Sequence, residues 1–169
     1  VASTGLIGER FPTEEVVEGI KVNIPKLSGD AKAGSFVANA ILTTDTFAKE
    51  GFVGFDSDGI TINLGGVAKG SGMIHPNMAT MLAFVVTDFA IEEKLLQETL
   101  GYCVDRSFNM ITVDGDTSTN DMVAVMANGL AGAVDAAALE RVLADGCARM
   151  TEMLARDGEG ASRLLRTHV

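Results

Sequence analysis

Apolar and polar positions alternate along the chain in short blocks, which predict a mixed set of helices and strands. Pro12-Thr13-Glu14-Glu15 opens a helix running to about Ile20, with acidic residues in its first turn, where the helix dipole favours negative charge. Pro25 ends regular structure there. Ala33 to Thr46 has helical spacing, with Phe36, Val37, Ala40 and Ile41 on one face and Thr43-Thr44-Asp45 closing it. Gly51 to Gly59 is a loop or hairpin. Ile60-Thr61-Ile62-Asn63-Leu64 alternates with period two and predicts a strand. A glycine-rich stretch, Gly65 to Gly72, then leads to the uncharged run Met81 to Val86, which predicts a buried strand.

Downstream, Asp88 is placed to cap a helix from Ile91 to Phe108 whose inner face is Ile91, Leu95, Leu96, Leu100 and Val104. Short strands follow at Met110–Val113 and Met122–Ala127. Ala136 to Ala155 predicts a long helix with Leu139, Val142, Leu143, Met150, Met153 and Leu154 as its apolar stripe, and Ser162–Val169 a last strand. Helices interleaved with strands indicate an α/β class without fixing strand order.

Thr80 lies where the glycine-rich loop meets the Met81–Val86 strand. A strand fixes a hydroxyl and a loop gives access to it, which suits a nucleophile. Two phosphate-binding loops are excluded by spacing. Lys69 is followed by Gly70, so there is no Walker-type Gly-Lys-Ser/Thr, and His75 stands where a dinucleotide fingerprint needs glycine. Asp114 to Asp121 is acidic enough to suggest calcium, but Thr119 and Val125 occupy the positions where an EF-hand requires Gly and Glu. This stretch is read as a polar knot shaping a site wall. No Ser-His-Asp order is recognisable; His75 is a weak base candidate, and the other histidine is His168.

Composition narrows the classes. The chain has 169 residues, 47% hydrophobic, and fits one domain with a real core. Its 13 basic and 23 acidic residues give a net charge of −10, which argues against nucleic acid as a partner. The longest apolar stretch, Met122 to Val134, is shorter than the roughly 20 residues a membrane span needs, so no membrane is expected. The first residues lack the basic and apolar regions of a signal peptide. Cys103 and Cys147, without a CxxC pattern, read as buried thiols in a reducing cytoplasm.

The segment Lys69-Gly70-Ser71-Gly72-Met73-Ile74-His75-Pro76-Asn77-Met78-Ala79-Thr80-Met81-Leu82 resembles the signature of the ornithine acetyltransferases, also called glutamate N-acetyltransferases. Four further stretches resemble the same family in order: Ser3-Thr4-Gly5-Leu6-Ile7-Gly8, Thr43-Thr44-Asp45, Thr112 to Asp121, and Asp157-Gly158-Glu159-Gly160-Ala161. The resemblance covers nearly the whole chain. It implies a layered α/β sandwich of helices and mixed sheets, of the self-processing, N-terminal-nucleophile-like kind. It also implies scission at Ala79–Thr80, with 1–79 ending one chain and 80–169 starting the other. Because Val1 is not methionine and the chain starts inside a motif, 1–169 is read as an internal part of one such domain.

By the same resemblance Thr80 is the nucleophile, Thr4 and Gly5 form the oxyanion hole, and Thr43, Lys69 and Glu159 bind substrate with Thr80. The implied reaction moves acetyl from N-acetylornithine to glutamate through acetyl-Thr80, in arginine biosynthesis. No metal and no bound cofactor are implied, though some members accept acetyl-CoA as donor. Cleaved pairs are expected to associate as a heterotetramer. The chemistry suits an N-terminal threonine: its freed α-amine has an ordinary pKa of about 7.7–8.0 and sits beside its own hydroxyl. Two other readings remain at this point, a self-cleaving aminopeptidase or amidohydrolase of related fold and an inactive fragment.

Overall fold

The computed structural model describes residues 1–57, 59–76 and 78–167. Its centre is a four-stranded sheet in the order β1-β2-β5-β6, made of β1 (Lys49–Ser57), β2 (Ile60–Lys69), β5 (Leu82–Ala90) and β6 (Met122–Ala133). A two-stranded ribbon, β3 (Ile74–His75) with β4 (Met78–Ala79), lies between β2 and β5 in the chain. The helices are α1 (Thr13–Asn23), α2 (Ala31–Ala40), α3 (Glu93–Asp105) and α4 (Ala136–Arg156). The sheet is mixed: β1–β2 and β2–β5 are antiparallel, while β5–β6 is parallel and joined through α3. This is the α/β class expected, with a mixed sheet.

Helix α4 forms where its apolar stripe predicts, and it buries Leu139, Leu143, Cys147, Met150 and Leu154. It packs on β1 and β2, and α3 packs on α4. Each fully buried leucine contributes about 1.5–3 kcal/mol. The exposed i,i+4 pairs on the same helix, Asp145–Arg149 and Glu152–Arg156, add only about 0.3–0.5 kcal/mol each. Packing therefore decides where α4 sits. Asp135 caps it by accepting from Ala138 N–H.

Several expectations are corrected. Of the loop or hairpin expected at 51–59 the hairpin forms, with 51–57 inside strand β1, paired from Lys49↔Ala68 to Ser57↔Ile60; Asp58 lies outside the described residues. Gly65 and Gly66 belong to β2, not to a loop. A Cβ on Gly66 would run into the Met150 side chain, so glycine here lets α4 lie flat on the strand. Helix α2 ends at Ala40 and buries Ala38; of the expected inner face, Phe36 is 73% exposed, Val37 and Ala40 are also exposed, and Ile41 is half-buried.

Asp88 is inside β5, where it accepts from Asn63 N–H and Nδ2 across the strand pair. The cap of α3 is Glu92, accepting from the amides of Lys94 and Leu95. Residues 108–110 form a 3₁₀ turn, and the strand expected at Met110–Val113 does not form, since 111–113 have no regular structure. Residues 162–167 have no regular structure; His168 and Val169 lie outside the described residues. Strand β5 is buried on one face through Ala83, Val85, Thr87 and Phe89, while Val86 on the other face is half exposed. Cys103 and Cys147 are free, buried thiols of the core, as expected, and burial, with Cys103 adding, pushes Cys147 up to about 12. Among the described residues no helix is long and apolar enough to cross a membrane.

Candidate functional site

The site forms at the end of the sheet where β2 runs out and β5 begins. Lys69 is the last residue of β2 and pairs with Leu82, which places the following loop beside Thr80. Gly70 has φ +152°, and a Cβ there would stand 3.1 Å from the Thr80 carbonyl oxygen and 3.2 Å from Leu154 Cδ2. Only glycine allows that approach.

Thr80 is delivered by the β3–β4 ribbon. Its N–H donates to the Met73 carbonyl at 2.8 Å, closing a loop around the ribbon. Met73 has φ +50°, which non-glycine residues seldom adopt. The Asp114 carboxylate accepts from Met73 N–H and Ile74 N–H at 2.9 and 3.1 Å, and Val113 N–H donates to the Ile74 carbonyl. Asp114, the first residue of that polar stretch, thus braces the segment before Ala79–Thr80 together with Val113. The Thr80 Oγ1 atom is buried and has no hydrogen-bond partner among the described residues. Leaving a hydroxyl so costs free energy, and such groups in a folded protein call for a reason.

Lys69 is 1% exposed. Its Nζ donates to Thr4 Oγ1 at 2.5 Å and Thr43 Oγ1 at 3.2 Å. Burial pushes the ammonium pKa down; Asp45 opposes this and the Lys49 charge adds to it. Glu159 reaches the same place from the far end of the chain. Its N–H donates to the Ser71 carbonyl at 2.9 Å, and a Cβ on Gly72 would run into its carboxylate. The structure therefore brings Thr4, Thr43, Lys69 and Glu159 onto the loop that touches Thr80. Gly5 is nearby in the chain, but its N–H donates to Ser3 Oγ at 3.1 Å, so that donor is engaged. His75 faces Thr112, its Nδ1 3.1 Å from Thr112 Oγ1. Asn77 lies outside the described residues.

Sequence reasoning missed four side chains. Asn120 donates to the Ser3 and Gly5 carbonyls at 3.1 and 2.9 Å, tying the first motif to the fourth. Lys49 is wholly buried, with Nζ 2.6 Å from both Asp45 and Asp157. Asp45 and Asp157 stood in quoted motifs without a role. Only the i,i+4 spacing of Asp45 and Lys49 hinted at the pair; Asp157 arrives from 108 positions away.

The comparisons with known proteins come to the same place. The ArgJ family profile matches residues 1–169. The chain belongs to the ArgJ family. The arginine biosynthesis bifunctional protein ArgJ of Symbiobacterium thermophilum is 51% identical over 176 residues, covering 100% of this chain and 43% of that protein. Those of Geobacillus kaustophilus and Bacillus subtilis are 50% and 49% identical, each with 42% of its length covered. The chain thus spans less than half the length of these ArgJ relatives.

The buried charges make one prediction for this ArgJ-family chain. Burial would raise the pKa of Asp45, yet the Gly70 amide, Lys49 and the Thr43 amide hold it below its ordinary value. Burial likewise opposes Asp157, which Lys49 and the Thr46 hydroxyl and amide bring down. Carboxylates with folded pKa values below the unfolded ones stabilise fully above about pH 4 and lose that contribution as pH falls through the folded values. Circular dichroism melts should therefore hold steady as far as these two groups decide from pH 7 to about 5, then fall below about 4. A melting temperature that rises below pH 4 would contradict the assignment.

Proposed function

We propose that this protein transfers acetyl from N-acetylornithine to glutamate after scission at Ala79–Thr80, serving arginine biosynthesis in the cytoplasm. The observation carrying this reading is the buried Thr80 Oγ1, which has no hydrogen-bond partner among the described residues, on a residue whose carbonyl oxygen lies against the Gly70 loop. A hydroxyl with no hydrogen-bond obligation is available to attack. The ArgJ relatives, named arginine biosynthesis bifunctional proteins, support the substrate class.

In the first step Thr80 Oγ attacks the Ala79 carbonyl carbon. The C–N bond breaks, the amine leaves with a proton, and an ester joins Ala79 to Oγ. Water opens the ester, giving an Ala79 carboxylate and a free Thr80 hydroxyl and amine. The halves 1–79 and 80–169 stay together because β2 residues Leu64–Lys69 remain paired with β5 residues Leu82–Thr87. The same reading includes association of two such pairs as a heterotetramer.

In turnover the Thr80 amine accepts the Oγ proton as Oγ attacks the acetyl carbonyl. Thr4 and Gly5 are the donors proposed for the oxyanion; Gly5 would have to release Ser3 Oγ to serve. The tetrahedral intermediate breaks its C–N bond, the Thr80 ammonium returns the proton to the departing ornithine amine, and acetyl-Thr80 remains. The glutamate amine attacks that ester, N-acetylglutamate leaves, and the hydroxyl is restored. Lys69, a buried cation, suits a substrate carboxylate, with Thr43 beside it; Glu159, an exposed anion at the loop, suits a substrate ammonium. No step requires a metal or bound cofactor.

Full-length protein incubated with N-acetylornithine and labelled glutamate should give N-acetylglutamate with ping-pong kinetics, and an acetyl adduct on the fragment beginning at Thr80. Acetate as the only acyl product would assign a hydrolase. No reaction with a processed chain would assign an inactive protein. Acetyl-CoA in place of N-acetylornithine tests the second donor.

A further inference from the structure

The Lys69 ammonium donates to two hydroxyls although a carboxylate, Asp45, is close enough to influence its charge. Left to itself, a buried cation of this kind would move onto the carboxylate. What holds it off is that Asp45 already meets a cation and two backbone donors, which take three of its roughly four acceptor sites. Its Oδ1 accepts from Lys49 Nζ at 2.6 Å and from Gly70 N–H at 2.7 Å, and its Oδ2 accepts from Thr43 N–H at 3.2 Å.

Lys49 in turn is shared. Its Nζ lies 2.6 Å from Asp157 Oδ2, donates to the Phe47 carbonyl at 3.4 Å, and stands 4.8 Å from the Phe47 ring centre. Asp157 accepts from Thr46 N–H and Oγ1, and its own carbonyl accepts from Ser71 Oγ at 2.7 Å. Three separate segments, 43–46, 69–71 and 157–159, thus hang on one buried ion triad. They are the segments carrying Thr43, Lys69 and Glu159. Two cations and two carboxylates share the volume, so the charges cancel.

We propose that Asp45, Lys49 and Asp157 are positioning residues of this site: the triad engages the Asp45 carboxylate, so that the Lys69 ammonium stays on the Thr4 and Thr43 hydroxyls and faces the substrate. The assignment deepens the proposed function, since it takes Lys69 as the group that meets the substrate carboxylate. Burial lowers the Lys69 pKa by more than the Asp45 charge raises it, and the Lys49 charge adds to the lowering.

Lys49→Met alone strands two buried carboxylates and is expected to unfold, which separates nothing. The informative variant is Lys49→Met with Asp157→Asn in the full-length protein, which keeps the charges balanced. The amide oxygen that replaces the Asp157 carboxylate can still accept from Thr46. With Lys49 gone, Asp45 has Lys69 as its remaining cation. A crystal structure of this double variant should show Lys69 Nζ moved from Thr4 and Thr43 onto Asp45. The KM for N-acetylornithine should rise about tenfold or more, as for loss of one charge-assisted hydrogen bond, with kcat changed less than about threefold.

Lys69 still on Thr4 and Thr43, with Asp45 facing no cation, overturns the positioning role whatever the kinetics. So does a wild-type KM with Lys69 unmoved. Lys69 moved onto Asp45 with KM unchanged leaves the triad holding Lys69 but removes Lys69 from substrate binding, and the proposed function fails at that residue instead.

Discussion

Replacing Thr80 by alanine should leave the chain in one piece and abolish the proposed acetyl transfer. Both effects come from one atom. In the proposed reaction the Thr80 hydroxyl opens the Ala79–Thr80 bond, and the amine so released is the base that activates it afterwards. Without Oγ there is no ester, no free amine and no acetyl-enzyme. The expected loss in kcat is about 10⁴-fold or more, the scale found when a covalent nucleophile is removed. The fold should survive. Oγ1 makes no hydrogen bond among the described residues, so its removal relieves a buried polar group and leaves only a small void. Melting temperature should hold or rise slightly, while mass spectrometry finds no fragment starting at residue 80. Thr80→Ser keeps the hydroxyl and should still be processed. A Thr80→Ala protein cut at the same bond would place the nucleophile elsewhere.

The elements whose own periodicity sets their burial were legible in the sequence. Helix α4 and the Ile60–Leu64 strand follow from a stripe and an alternation that each hide one face. What failed were features decided by a partner distant in sequence. Gly65 and Gly66 look like a loop until β1 and β5 are found paired on either side and the Met150 side chain is seen in the space over Gly66. Asp88 looks like a cap until Asn63 is found across the strand. Helix α2 reads as burying Phe36, but the sheet takes Ala38.

The candidate site divides the same way. The motifs point to Thr80, Lys69, Thr43, Thr4 and Glu159; the fold sets Thr4 and Thr43 on the Lys69 ammonium, and Thr80 and Glu159 against the loop that follows it. The groups holding that loop were not named. Lys49 has no motif around it, and its meaning depends on Asp157, 108 positions on. A lone lysine at the head of a strand is normally solvated, and only burial shows that it is not.

Lys69→Met should divide stability from function. Methionine has similar length and no charge, so it can occupy the same buried channel. Thr4 and Thr43 are only partly buried or exposed, so water can replace the ammonium at their hydroxyls. Asp45 keeps Lys49, Gly70 N–H and Thr43 N–H and is not stranded. The variant should therefore melt at or above the wild-type temperature. The pH dependence fixes the sign. A lysine whose folded pKa lies below its unfolded value of about 10.4 costs stability while it is charged in both states, and that cost shrinks as pH rises through the folded value. The stability advantage of Lys69→Met should be largest near neutral pH and narrow toward pH 10. Function goes the other way. Loss of a charged hydrogen bond to the substrate carboxylate is worth about 1.5–3 kcal/mol, roughly tenfold to a hundredfold in kcat/KM. Scission at Ala79–Thr80 should proceed as before, because the scissile bond is held by Met73, Asp114 and the β3–β4 ribbon and not by Lys69. A processed, stable and fully active Lys69→Met protein would return this lysine to the fold and take it out of the reaction.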